Sequence, residues 1–167
     1  MFGSLTFPIQ IEFKPEEIKT LKFLAHQRSY HKANWSLDET YWNKTPGKTN
    51  EDKSFQSHYM GMAGEYGVSL KVNGRFDFIP RFLGDFDKAD VVVGPAGNYR
   101  IAVKTTRYKP PIFKLTKLSE IADATHVASC LYQEPVLTIQ WIYAKTHFLS
   151  NMYVSEGFGY GKRYCLE

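Results

Sequence analysis

The sequence predicts a single domain of the α/β (α+β) class, in which helices accompany a central β-sheet. Two segments before residue 72 have apolar side chains at helical spacing, and six short segments after residue 74 have the composition of strands. The chain of 167 residues is long enough to bury one good hydrophobic core and too short for two. We therefore expect one domain that covers residues 1–167.

The first predicted helix begins near Lys14, after a short apolar segment that has the composition of a strand. Pro15 suits the first helical turn, where its missing N–H costs nothing, and Glu16 and Glu17 favour the positive end of the helix dipole. Apolar residues then recur at helical spacing. They predict a helix that continues to about Tyr30.

A predicted mobile loop separates this helix from a second one. Residues 36–53 are rich in Asn, Thr, Asp and Lys and include the turn-forming pair Pro46-Gly47. From about Ser54 to Lys71 the apolar residues again share one face, which predicts the second helix. Asn73-Gly74 is a typical helix end and is expected to stop it.

The remainder of the chain changes from helical to extended patterns. Short segments rich in β-branched or aromatic residues and bounded by turn residues predict strands. They are Arg75–Ile79, Asp90–Val93, Tyr99–Thr105, Ile112–Leu115, His126–Tyr132 and Leu137–Tyr143. A brief helix is predicted over 144–151, and the Gly-rich tail over 157–161 is expected to be a loop or a final edge strand.

Composition and charge exclude several protein classes. The sequence is 43% hydrophobic with a formal net charge of +4, and no stretch approaches the roughly 18 consecutive apolar residues of a transmembrane helix. Cys130 and Cys165 are too few for a disulfide framework and lack the spacing of a zinc site. Since no secretory leader is recognisable, we expect a cytoplasmic protein.

Basic and aromatic residues are mixed in two clusters, Arg107–Lys109 and Tyr160–Tyr164. Cations neutralise phosphates and aromatic rings stack on bases, so the mixture is typical of nucleic-acid binding. A solvated loop of amphipathic side chains explains the same composition equally well. The candidate DNA-binding residues in and near these clusters are Arg107, Lys109, Lys114, Lys117, Lys162 and Arg163.

The candidate chemistry lies in a predicted hairpin that contains Asp90 on one strand and Lys104 on the next. A five-residue, Gly-rich segment joins the two strands, and a hairpin symmetric about Ala96 places Asp90 opposite Ala102. Because side chains alternate along a strand, Asp90, Ala102 and Lys104 share the face that is not the apolar one. Opposed Cβ atoms lie only about 4.5–5.5 Å apart, so a carboxylate at position 102 would bind one metal ion together with Asp90.

This arrangement resembles the PD-(D/E)XK nuclease superfamily, whose pattern is an acidic residue on one strand, a hairpin, and then an acidic residue, any residue and Lys. The sequence Gly64–Gly67 resembles the preceding helix that supplies a further carboxylate, and Lys104–Tyr108 resembles the strand exit of small phage-type members. The resemblance covers most of residues 54–164. It implies a restriction-endonuclease-like fold, with a mixed central sheet flanked by helices.

The resemblance implies a metal-dependent nuclease that hydrolyses phosphodiester bonds in DNA. In the family, carboxylates and a backbone carbonyl hold Mg²⁺ or Mn²⁺, and the Lys orients or activates the attacking water. On this chain the implied catalytic positions are Glu65, Asp90, Ala102 and Lys104. The implied metal ligands are Asp90, the Val103 carbonyl and Glu65.

One position departs from the family pattern. Ala102 stands where the second acidic residue is expected, and its methyl group cannot bind a cation, so the loss should weaken the metal site and slow hydrolysis. Three explanations stay open: the chain was inactivated on purpose, the carboxylate has moved to Glu65, Asp85 or Asp87, or the protein is a natural pseudonuclease. The close match around position 102 favours the first.

The alternative function is a non-catalytic nucleic-acid-binding or anti-host-defence protein on the same fold. Both functions imply DNA, duplex or branched, as the partner, and neither implies a membrane. The resemblance further suggests a homodimer, since many nucleases of this size cut both strands as dimers. It also suggests the host-cell cytoplasm as the location if a phage encodes the chain.

Overall fold

The fold combines helices with two β-sheets. The computed structural model describes residues 2–33, 50–76, 89–157 and 161–167. Within these ranges the helices are α1 (Pro15–Ala33), α2 (Asn50–Val72), a 3₁₀ helix (Leu118–Ile121) and α3 (Lys145–Asn151). The strands are β1 (Ile9–Glu12), β2 (Arg75–Phe76), β3 (Val91–Val93), β4 (Tyr99–Thr106), β5 (Phe113–Leu115), β6 (His126–Gln133), β7 (Val136–Ala144), β8 (Tyr153–Ser155) and β9 (Arg163–Leu166). The predicted α+β class is confirmed.

The larger sheet has six strands in the order β1-β7-β6-β4-β3-β2. Strands β4 and β6 are parallel, and every other neighbouring pair in this sheet is antiparallel. The sheet is therefore mixed, as predicted. A second, antiparallel sheet of three strands, in the order β5-β9-β8, was not foreseen as a separate layer.

Helices α1 and α2 cover one face of the larger sheet. The start of α1 is fixed by the carboxylate of Glu17, which accepts hydrogen bonds from the backbone N–H of Lys14 at 2.7 Å and from the hydroxyl of Tyr66 on α2 at 2.8 Å.

Beneath the helices lies a first apolar cluster. Its buried members are Phe13, Leu21, Ala25, Tyr59, Met62, Ala63, Val68, Val91, Val93, Ile101, Val103, Ala128, Cys130, Tyr132, Leu137, Ile139 and Ile142. No helix in the described ranges is long and apolar enough to span a membrane.

The opposite face of the sheet packs against β5, the 3₁₀ helix and α3. A second apolar cluster lies between these elements and the sheet. Its buried members are Ala102, Phe113, Leu115, Ile121, Ala124, Val127, Trp141 and Phe148. Strand β4 contributes Val103 to the first cluster and Ala102 to the second, so both of its faces are covered along this stretch.

The sequence-based boundaries agree with the structure for most elements. The two long helices extend a few residues beyond their predicted limits, and α2 begins at Asn50, so residues 50–53 are helical instead of forming the end of the predicted loop. The rest of that loop, residues 36–49, lies outside the described residues, as do Asp85 and Asp87. The 3₁₀ helix and β8 were not predicted.

Two glycines allow α2 to lie directly on the sheet. A Cβ atom at Gly64 would overlap with Oγ1 of Thr105 on β4, and one at Gly67 would overlap with Cδ2 of Leu137 on β7. Because an added side chain at either position would have to displace these neighbours or the helix, the two glycines allow α2 to lie close to β4 at Gly64 and close to β7 at Gly67.

We predict that Gly64→Ala destabilises the fold by about 1–3 kcal/mol, since the added methyl group overpacks the contact between α2 and β4. Gly61→Ala is the matched control on the same helix, because the nearest atom to its added Cβ is Glu65 Oε1 at 4.0 Å. This control should be neutral or stabilise by up to about 1 kcal/mol through helix propensity. Urea denaturation of both variants measures the difference, and equal stabilities would contradict the close-packing interpretation.

Candidate functional site

The β3–β4 hairpin has the register that the sequence predicts. Its turn contains Gly94 and Gly97, both with positive φ (91° and 65°), a backbone conformation that favours glycine. The N–H of Gly97 donates to the carbonyl of Gly94 at 3.1 Å and closes the turn. The paired residues are Val91 with Ile101, Val92 with Arg100 and Val93 with Tyr99.

Asp90 is anchored to β4 by two hydrogen bonds. Its carboxylate Oδ2 accepts from the backbone N–H of Val103 at 2.7 Å, and its own N–H donates to the carbonyl of Ile101 at 3.1 Å. The paired residues end at Val91 with Ile101, and Asp90 bonds to the backbone of Ile101 and Val103, the two neighbours of Ala102, so the predicted pairing of Asp90 with Ala102 stays a prediction. The resemblance implies three metal ligands. Two of them, the Asp90 carboxylate and the backbone of Val103, therefore lie together.

Ala102 packs as a small core residue. Its exposed fraction is 5%, and it belongs to the second apolar cluster, where its pairing partner on β6 is Val127. The methyl group therefore contributes packing and no charge or ligand. A carboxylate at this position would have to be accommodated at the edge of an apolar cluster, which carries a desolvation cost unless a cation lies nearby.

Lys104 forms an ion pair that sequence reasoning missed. Its Nζ donates to Oε2 of Glu120 at 2.6 Å. Oε1 of the same carboxylate accepts from the backbone N–H groups of Thr116 at 2.7 Å and Lys117 at 2.9 Å. Glu120 is the third residue of the 3₁₀ helix, but Lys117 before the helix is not one of the Ser, Thr, Asp or Asn residues that mark a helix start, so the sequence carried no clear signal for this cap. It carried none for the partnership with Lys104.

The electrostatics of this pair favour the ionised carboxylate. Partial burial raises the pKa of Glu120, but the hydrogen bond from Lys104 and those from the backbone of Lys117 and Thr116 lower it, and the net effect is a pKa below the usual 4.5. The side chains of Lys104 and Glu120 are 40% and 29% exposed, respectively. The pair is thus accessible to solvent and to a ligand.

Glu65 lies on the helix-covered side of the sheet. Its neighbour Gly64 faces the side chains of Val103 and Thr105, whereas Ala102 and Lys104 project from the other face of β4. The Glu65 carboxylate lies 3.6 Å from the guanidinium of Arg28, and both side chains are nearly buried. The role of Glu65 as a metal ligand stays a prediction.

The described donor set is incomplete by the pattern that the resemblance implies for Mg²⁺ or Mn²⁺, and metal binding stays a prediction. Divalent cations of this kind take about six oxygen ligands, and Mg²⁺ is usually held by one or two carboxylates together with water molecules and substrate phosphates. Asp90 and the Val103 backbone lie together, but Ala102 supplies no oxygen. Among the residues that the structure describes, no three His, Cys, Asp or Glu side chains are grouped to hold a metal ion.

The predicted DNA-binding residues concentrate on the second sheet and its connections. Arg107 and Lys109 lie between β4 and β5, and Lys117 follows β5. Lys114 on β5 pairs with Cys165 on β9, two residues after Arg163, so Lys114 and Arg163 occupy the same face of the second sheet. Lys162 immediately precedes β9 and lies over the ring of Tyr164, 5.5 Å from its centroid.

An exposed aromatic ring accompanies these cations. Tyr108 is 65% exposed, and the guanidinium of Arg107 lies 5.2 Å from the centroid of its ring and donates to its hydroxyl at 3.1 Å. The contact holds a cation and a flat ring together at the exit of β4. Such a pair can contact a phosphate and a base in the same ligand.

Comparison of the chain with protein-family models, with curated proteins and with solved structures finds no match. The resemblance to PD-(D/E)XK nucleases therefore depends on the residues of the hairpin and the helix quoted above. A nuclease function is accordingly a proposal.

We predict that the contribution of Glu120 to stability depends on pH. Because its pKa is lowered in the folded protein, the contribution is fully present above the unfolded value and is lost as the pH falls through the folded value. Glu120→Gln should cost about 1–3 kcal/mol near pH 7 and progressively less below about pH 4. Denaturant unfolding of both proteins from pH 7 to pH 3 measures this difference.

The Lys104→Met background is the control for that experiment. Removal of the ammonium takes away one cause of the lowered pKa, so the pH-dependent part of the Glu120→Gln effect should shrink. If the difference in unfolding free energy between the unmodified protein and Glu120→Gln stays constant from pH 7 to pH 3, the assigned ion pair is contradicted.

Proposed function

We propose that this protein binds DNA and is a phosphodiester hydrolase of the PD-(D/E)XK type whose centre is impaired by Ala102. The observation that carries the proposal is the Asp90 carboxylate, which accepts from the Val103 N–H at 2.7 Å on the hairpin that also presents Lys104. We expect Asp90 to lie opposite Ala102. This is the register in which a carboxylate at position 102 would complete the pattern of acidic residue, acidic residue and Lys.

The residues present support two of the three tasks of phosphodiester hydrolysis. The ammonium of Lys104 can donate to a phosphate oxygen or to a water molecule and offset charge that develops in the transition state. The cations around the second sheet can hold the DNA backbone. The third task, the binding of a divalent cation, is not supported by the described donor set, so hydrolysis by this chain should be slow.

The proposed substrate is DNA, duplex or branched, held mainly through its phosphates. Six cations on or beside β5 and β9 supply this contact, and Tyr108 offers a ring for stacking. Nothing in the described surface favours a particular base sequence. A homodimer, taken from the resemblance, and a cytoplasmic location, taken from the sequence, are the accompanying proposals.

DNA binding should weaken steeply with salt, because each neutralised phosphate contributes a slope of about −0.9 in the logarithmic plot. Replacing Arg107 and Lys109 together by Ala should make the slope shallower by about 1–2. The matched control removes two exposed cations from the helices, Lys19 and Lys71, and should leave the slope nearly unchanged. Fluorescence anisotropy with a short duplex measures both. Equal slopes for the two variants would contradict the proposed surface.

Restoring the missing carboxylate tests the hydrolase directly. Ala102→Glu should lose about 1–3 kcal/mol of stability in chelator from overpacking, and divalent cation at a hundred times its Kd should return about 2.7 kcal/mol. With Mg²⁺ or Mn²⁺ the variant should cleave plasmid or branched DNA at least about 100-fold faster than the unmodified chain. Cleavage and thermal unfolding, each with and without metal, are the measurements.

Two controls separate charge from size. Ala102→Gln has nearly the same volume without the charge and should neither gain metal-dependent stability nor cleave. The double variant Ala102→Glu with Asp90→Asn should again be inert. If Ala102→Glu is folded but neither binds a divalent cation nor cleaves any DNA substrate, the hydrolase proposal is wrong.

A second candidate is a non-catalytic nucleic-acid-binding protein, including one that acts against host defence. The burial of Ala102 in the second apolar cluster favours it, since a residue that serves packing leaves no room for a ligand. For a non-catalytic binding protein we expect salt-dependent DNA binding that is altered neither by Asp90→Asn nor by added Mg²⁺. If the protein is a hydrolase, both Asp90→Asn and added Mg²⁺ should alter DNA binding once the carboxylate at position 102 is restored.

A further inference from the structure

We propose that Glu120 is a positioning residue that holds the Lys104 ammonium in place for the phosphate or the attacking water, an inference that rests on the proposed hydrolase function. Glu120 belongs to the 3₁₀ helix and lies outside the hairpin pattern. Its contacts, and not its sequence position, point to this role.

The carboxylate of Glu120 is itself fixed. Oε1 accepts two backbone N–H groups, from Thr116 at 2.7 Å and from Lys117 at 2.9 Å, and both donors belong to the turn that opens the 3₁₀ helix. The next residue, Ile121, is 2% exposed and anchors this helix in the second apolar cluster. A carboxylate held by two backbone N–H groups is a rigid acceptor, unlike a flexible acidic side chain on a surface.

The Lys104 side chain is flexible unless an acceptor holds its ammonium group. Its backbone is fixed in β4, paired with Ser129 of β6, but a four-carbon side chain that is 40% exposed keeps much of its rotamer freedom. Ordering this side chain costs conformational entropy, and the 2.6 Å bond to Glu120 imposes that order before a ligand binds. Two of the three ammonium donors then remain for a phosphate or a water molecule.

A neighbouring ion pair supplies the comparison. Asp123, three residues after Glu120, lies 3.3 Å from Nε of Arg100, and the two side chains are 39% and 46% exposed. Asp123 lies in the same connection between β5 and β6 as Glu120, whereas Arg100 belongs to β4, and the exposure of this pair is similar to that of Lys104 and Glu120. Among the residues that the structure describes, neither Asp123 nor Arg100 forms a hydrogen bond or ion pair with Lys104. Asp123→Asn is therefore a matched control for the loss of a nearby carboxylate.

The experiment compares Glu120→Gln and Asp123→Asn, each in the unmodified chain and in the Ala102→Glu background. The first readout is the order of the Lys104 ammonium by nitrogen-15 NMR relaxation, with exposed Lys19 as the internal reference. We expect Lys104 to be more ordered than Lys19. Glu120→Gln should reduce its order toward that of Lys19, and Asp123→Asn should leave it unchanged.

The second readout is the rate of metal-dependent DNA cleavage in the Ala102→Glu background. Glu120→Gln should lower kcat about tenfold, which corresponds to about 1.4 kcal/mol, and leave KM within about twofold. Asp123→Asn should change neither. If Glu120→Gln does not fold, Glu120→Asp takes its place, since it keeps the charge but withdraws the carboxylate by one methylene group.

The outcomes distinguish this inference from the function on which it rests. If the Ala102→Glu protein cleaves DNA and its kcat is insensitive to Glu120→Gln, or if Lys104 stays equally ordered without Glu120, the positioning role is wrong and the hydrolase stands. If the Ala102→Glu protein is folded and inert, the hydrolase proposal fails first and the positioning role fails with it.

Discussion

The structure depends on the burial of β4 on both faces. With a period of two along the strand, Ile101 and Val103 enter the cluster beneath the helices, and Ala102 enters the cluster beneath the second sheet. This alternation decides which β4 side chains lie on the face of Lys104, because a shift of one residue would exchange the side chains of the two faces. Asp90, which immediately precedes the partner strand, bonds to the backbone of Ile101 and Val103 on β4.

The hairpin could be predicted because its determinants are local. Gly94 and Gly97 take the positive φ values that the turn requires, and the apolar residues of the two strands leave one register that buries them. The long helices were predictable for a similar reason, since their apolar spacing and the residues at their ends are written in consecutive sequence. Their boundaries differ from the expected ones by only a few residues.

What could not be predicted depends on contacts between distant parts of the chain. The pairing of β5 with β9 joins segments on either side of β6 and β7, and no local pattern specifies it. The partnership of Glu120 with Lys104 depends on where a connection crosses the sheet. The resemblance implies Glu65 as a ligand near the hairpin; the contact of Gly64 with Val103 and Thr105 places α2 on the face of β4 opposite to Lys104, and no local pattern specified that contact.

The parallel pairing of β4 with β6 has a topological consequence. Two parallel neighbours cannot be joined by a tight turn, so the chain must cross one face of the sheet between them. Here the crossing segment contains β5 and the 3₁₀ helix, and it passes over the face from which Lys104 projects. If β4 and β6 were antiparallel, a short turn could join them and nothing would have to cover that lysine. The acidic neighbour of Lys104 is thus a product of strand direction, and its position should survive changes in the length of the exposed connection at 107–112 as long as the crossing itself is kept.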